Sequence, residues 1–171
     1  VSRSPRALVT LGAAILVAMV GVGLVVWRVA NGASGRAHGG VRVEGLRPAR
    51  PPFESSTAGV IRVGGRSLSV VIADDDAERF TGLRGRHDAS PYDGMLFVFR
   101  GDTRAAFTMA GVPAPLDIGF YAADGSRVDR RRMLPCAGTD ATCPVYEARA
   151  AFRYALETAP GALPDGSLRV G

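Results

Sequence analysis

Apolar and polar residues alternate over much of the second half of the chain, and the alternation predicts strands. Leu116, Ile118 and Phe120 alternate with Asp117, Gly119 and Tyr121, the period of two expected of a strand with two unlike faces. Asp124-Gly125 follows, a dipeptide that tight hairpins favour because both central residues need positive φ. Phe152, Tyr154 and Leu156 alternate with Arg153, Ala155 and Glu157 in the same way. Upstream, residues 60–63 and 67–73 flank Gly64-Gly65 and predict a hairpin. Residues 95–99, MLFVF, form a continuous apolar run of strand length and predict a buried strand. Residues 105–109, 128–134 and 167–170 supply further short strands. One helix of about two turns is expected, starting at Asp75, where an N-cap Asp and Glu78 three residues on make a capping box, and stopping near Gly82 or Gly85. Together these elements predict a mainly β fold, a small compact antiparallel β barrel or clam-like sandwich with one short helix.

The first third of the chain has a different pattern. Residues 7–27 carry no charge over 21 positions, enough at ~1.5 Å per residue to span the ~30 Å core of a bilayer. This segment is a transmembrane helix or uncleaved signal anchor behind a tail of residues 1–6, since a cleavable signal has an apolar region of only about 7 to 15 residues. Arg3 and Arg6 precede it, while Arg28, Arg36, Arg42 and Arg47 follow. The positive-inside count alone favours a cytoplasmic C-terminal domain. The usual behaviour of a single N-terminal span, together with the cysteine pair described below, places that domain outside the cytoplasm instead. Residues 28–59 hold six Gly and three Pro without a sustained period and read as a flexible linker in which residues 41–43 form at most a frayed strand. Residues 60–171 are the β-rich domain.

Charge sharpens this division. The net charge of +5 lies in residues 1–59, with seven Arg against Glu44 and Glu54, whereas residues 60–171 balance 14 Arg against 14 acids. A neutral domain lacks the electrostatic footprint of nucleic-acid binding, so no nucleic-acid partner is expected.

Few residues announce chemistry. Cys136 and Cys143 are the only cysteines, with six residues between them, which is neither a Cys-x-x-Cys motif nor half of a zinc knuckle. A structural disulfide is the favoured reading, with a redox or soft-metal pair as the alternative. Met95, Met109 and Met133 suggest copper ligands, but each lies in or beside an apolar run where Met is an ordinary core filler. Asp117 is either solvated or buried against an Arg, with Arg86 the expected partner. Arg130-Arg131-Arg132 reads as a strand edge protected against edge-to-edge pairing. No nucleophile-elbow, zincin, Walker or dinucleotide motif occurs, so no enzymatic activity and no cofactor are expected.

The order of landmarks resembles one family, the domains of unknown function numbered 192, small exported or membrane-tethered domains. The resemblance runs from about Ser69 to the C-terminus. It rests on Glu78-Arg79, on Gly82 to Arg86, on Asp93-Gly94 with the apolar run after it, and on Phe107 and Met109 ahead of Pro115-Leu116-Asp117-Ile118. Asp124-Gly125, Met133 to Cys136, Cys143 to Tyr146, Tyr154 to Glu157 and Gly161 continue it. It implies a small β-rich barrel-like fold with no established activity. Where members commonly read Phe-Trp-Met-Lys-Asn-Thr, this chain has Phe107, Thr108, Met109, Ala110, Gly111 and Val112, and Arg84 replaces a Met. These differences imply a changed or lost specificity if that segment lines a cleft.

The expected function is that of a membrane-tethered, extracytoplasmic, non-enzymatic binding or interaction module of the cell envelope. Its candidate cleft is formed by Arg86, Phe107, Met109, Asp117 and Tyr146, and its partner is an envelope protein or polymer. The alternative is a thiol-redox or copper-binding protein using Cys136, Cys143 and nearby Met.

Overall fold

The structure is a computed structural model that describes residues 36–38 and 40–171. The expected membrane span at residues 7–27 and the tail before it lie outside the described residues. In chain order the elements are β1 (Arg36–His38), β2 (Val41–Pro48), β3 (Thr57–Val63), β4 (Arg66–Ala73), α1 (Asp76–Thr81), β5 (Gly94–Thr103), β6 (Phe107–Thr108), β7 (Leu116–Tyr121), β8 (Arg127–Met133), β9 (Val145–Tyr146) and β10 (Phe152–Thr158).

Eight strands lie side by side in the order β1-β2-β3-β4-β5-β10-β7-β8, and β6 pairs with β9 in a separate ribbon. Neighbours are antiparallel except β4 and β5. A parallel pair needs a crossover rather than a hairpin, and the segment carrying α1 supplies it. The sheet is open, with β1 and β8 as its edges, so of the antiparallel barrel or clam-like sandwich expected, the barrel does not close and the β4–β5 pair is parallel. The last residues tie its distant parts together: Leu168 bridges Val63, Val170 bridges Val41, and Leu168 N donates to Gly125 O at 2.9 Å. Gly125 has φ 81°, and a Cβ there would lie 1.9 Å from Leu168 O, so the Asp124-Gly125 turn serves this docking as well as the hairpin. The strand expected at residues 167–170 is reduced to these bridges.

Of the linker expected at residues 28–59, residues 28–35 and 39 lie outside the described residues and the later part needs correction. Residues 41–59 are packed: Val41, Val43, Ala49, Phe53 and Ala58 are buried, and β2 pairs with β3. Gly, Pro and Arg dominate the composition, yet β2 needs only Val41 and Val43 on its inner side. Gly59 lets it approach, because a Cβ there would sit 2.3 Å from Val43 Cγ1.

Strand alternation divides the core between the two faces of the sheet. Val71, Met95, Phe97, Ile118, Phe120 and Ala155 belong to one cluster; Val70, Ile72, Leu96, Val98, Tyr121 and Leu156 belong to the other. The central strands are thus buried on both sides. β8 closes one edge with Arg130, Arg131 and Arg132 exposed, as the edge reading expects. At α1 the capping box forms as predicted, with Glu78 N donating to Asp75 Oδ1 at 2.8 Å and Asp75 N to Glu78 Oε2 at 3.4 Å. The helix ends at Gly82, whose φ of 47° suits glycine.

Candidate functional site

A cleft of about 430 Å³ lies where α1 and the turn after it face β5 and β6. Its walls are largely aromatic because β5 directs Phe97 and Phe99 to the face that also receives Phe107. The Phe97 and Phe107 rings meet edge to face at 5.1 Å, and Phe107 reaches Phe120 at 5.7 Å. Ala105, Ala106, Thr108 and Val112 complete one side, and Phe80, 70% exposed, stands at the rim.

Glu157 lines this cleft from β10, a central strand. Its cross-strand neighbours are Met95 on β5 and Ile118 on β7, so its surroundings are apolar. It is only 5% exposed, and no described residue gives its carboxyl a hydrogen bond or an ion pair. Burial disfavours the charged form and pushes its pKa up to about 8.

Two arginines flank the cleft, and both are engaged. Arg79 donates to Val98 O at 2.7 Å, pairs with Asp76 at 2.5 Å and lies over the Phe99 ring at 5.3 Å. Arg84 donates to Phe80 O at 3.1 Å, Ala110 O at 2.6 Å and Asp140 Oδ1 at 2.6 Å. Asp140 lies in the loop closed by the Cys136–Cys143 disulfide, whose Cα atoms are 5.8 Å apart. The expected disulfide is therefore present, and its loop delivers Asp140 to the cleft. With the sulfurs joined, neither offers a thiolate to a metal, and Met95, Met109 and Met133 all lie in the core.

The structure separates the residues proposed from sequence. Phe107 lines the cleft. Met109 is buried in the core beneath it, while Tyr146 pairs with Phe107 across the β6–β9 ribbon and accepts from Leu134 N at 2.9 Å. Arg86 is elsewhere, stacked over Phe53 at 4.7 Å and donating to Pro52 O at 3.0 Å, beside a second hollow of about 210 Å³.

Asp117 alternates with Ile118 and so lies on the opposite face of the sheet from Phe107. Its partner is Arg132, directly across on β8, rather than Arg86. Arg132 Nε and Nη2 both donate to the carboxylate, Gly161 N adds a bond at 2.7 Å, and Arg130 approaches to 3.5 Å. Burial opposes the charge, but the Arg132 hydrogen bond, the Gly161 N–H and the two guanidinium charges outweigh it and hold the carboxyl below its ordinary range. This is a structural ion pair.

Sequence reasoning missed Glu157, Arg79, Arg84 and Asp140. Glu157 read as the polar side of an alternating strand. The overlooked signal was Ala155 two residues earlier on the same face, since a face that turns from Arg153 to Ala need not still face water at Glu157.

Comparison with known proteins bears on the fold. A protein of unknown function from Novosphingobium aromaticivorans superposes with a TM-score of 0.61 at 21% identity, covering 74% of this chain and 94% of that one. A candidate transcription regulator from Sinorhizobium meliloti superposes with a TM-score of 0.54 at 24% identity, covering 66% of this chain and 89% of that one. Both likenesses concern fold alone. No curated protein matches the chain. The family model of DUF192, described as Uncharacterized ACR, matches residues 59–171, which takes in both sides of the cleft and the disulfide loop, and the chain belongs to that family.

Proposed function

We propose that this chain is a non-enzymatic binding domain of the cell envelope, anchored through residues 7–27 with its β domain outside the cytoplasm, and that its ligand occupies the cleft over Glu157. The observation that carries this reading is a buried carboxyl with no partner among the described residues, set in an aromatic cleft. The carboxyl opens onto the cleft, where a ligand can complete its bonds. A volume of about 430 Å³ falls within the roughly 300–1,000 Å³ usual for small-molecule sites. Binding fits the lining better than catalysis does: among the described residues no Ser, Cys or His lines the cleft, and Arg84 already holds the rim acid Asp140. The Cys136–Cys143 disulfide supports an oxidising compartment.

The test is native mass spectrometry on the full chain purified from envelope, beside Ala106→Trp, which fills the cleft from an exposed position. A small molecule retained by the parent and absent from the variant is expected. Equal retention by both, or none by either even after incubation with envelope extract, contradicts the reading. Protease protection in intact cells tests the topology, with the β domain expected to be cleaved from outside.

A further inference from the structure

Charge pairing around the cleft leaves one group over. Four charged residues line it: Arg79, Arg84, Asp140 and Glu157. Arg79 is matched by Asp76 and Arg84 by Asp140, and both guanidinium groups also donate to backbone carbonyls. Glu157 alone of the four has no counter-charge among the described residues. An anionic ligand would have to compete with Asp76 or Asp140 for an arginine and would then face an acid. A cation meets the reverse situation, because aromatic faces attract positive charge and the floor offers a free carboxyl. The wall is also apolar enough, through Phe97, Phe99, Phe107 and Val112, to take a hydrocarbon body.

We infer that the cleft binds an organic cation, an ammonium group on an apolar or aromatic body, with the charge on Glu157 and the body against Phe97, Phe99 and Phe107. The inference rests on the cleft being the binding site and adds the sign and class of its ligand. No covalent step is involved. The carboxyl releases its proton to solvent as the cation arrives, so affinity for a permanent cation rises with pH until Glu157 is ionised in the free protein, near pH 8. Met95 on β5 and Ile118 on β7 flank Glu157 across the strands, and the other charged groups lining the cleft are Arg79 and Arg84 from the helix side and Asp140 from the disulfide loop.

The experiment uses three probes sharing one ring: benzyltrimethylammonium, benzyl alcohol and benzoate. Each is titrated at about pH 9 into the full chain in a non-ionic detergent and followed by the ring resonances of Phe97, Phe99 and Phe107. The cation is expected to bind about tenfold or more tightly than either other probe. Glu157→Gln is expected to erase that preference, bringing the affinity for the cation down to that for benzyl alcohol. Tightest binding by benzoate, or a preference that survives Glu157→Gln, overturns the inference. Benzyl alcohol binding as tightly as the cation overturns it too but leaves the cleft as a ligand site, whereas no response to any probe removes both readings.

Discussion

Replacing Glu157 by Gln isolates the energetic consequence of the buried acid. Gln keeps the shape and is always neutral, so it stands in for the protonated form. In the unfolded chain Glu157 titrates near 4.5, and in the folded protein near 8. Between these values the folded state holds a proton that the unfolded state has released. Stability therefore falls as pH rises through this window. The gap is about 3.5 pH units, each worth about 1.36 kcal/mol, so the full loss is on the order of 5 kcal/mol. Below about pH 4.5 parent and variant should differ little, and above pH 8 the variant should be the more stable by up to that amount. Urea unfolding followed by near-ultraviolet circular dichroism, run on both chains from pH 4 to 9, reads the difference directly, because contributions shared by both chains cancel. A difference that stays flat across the range, or a variant that is less stable at high pH, refutes the reasoning and implies that Glu157 is solvated or paired in solution.

Further outcomes follow from other parts of the fold. Asp117→Asn should cost about 2–4 kcal/mol at neutral pH, below the value for a fully buried pair because Arg132 is half exposed. Because the Asp117 carboxyl is held below 3.8, its contribution is present above about pH 4 and is lost as pH falls through its folded value; the variant should therefore show a flatter acid limb in urea unfolding. Serine at both Cys136 and Cys143 should lower stability by about 2–3 kcal/mol, the loop-closure entropy of a short ring, and reductant should then have no further effect on the thermal midpoint. Gly94→Ala would place a Cβ 2.4 Å from Glu157 O and should cost about 2 kcal/mol or more as β5 and β10 are forced apart, measurable as faster amide exchange in both strands.

Local order was legible in this sequence to the extent that neighbouring residues dictate it. The capping box, the Gly64-Gly65 and Asp124-Gly125 turns and the apolar run of β5 each depend on a few adjacent side chains. β2 was not legible, because what orders Val41 and Val43 is their partner β3 and the space left by Gly59, neither of which is local. Closure into a barrel was misjudged for a related reason: strand count and alternation do not say whether the first and last strands meet. At the site, Asp117 drew attention as a lone acid within an apolar strand, yet its register opposite Arg132 satisfies it. Glu157 has the same alternation but lies where β10 is flanked by β5 and β7 and no cation among the described residues reaches it. Only the strand order distinguishes these two acids, and the strand order joins β5 to β10 across 48 intervening residues.

The most direct measurement is a ¹³C titration of the Glu157 side-chain carboxyl in the full chain, free and saturated with benzyltrimethylammonium. A midpoint near 8 in the free protein, falling by about one unit or more with the cation bound, is the predicted result. A free midpoint near 4.5, or one that the cation leaves in place, would contradict the assignment of Glu157 as the unpaired acid of a ligand-binding cleft.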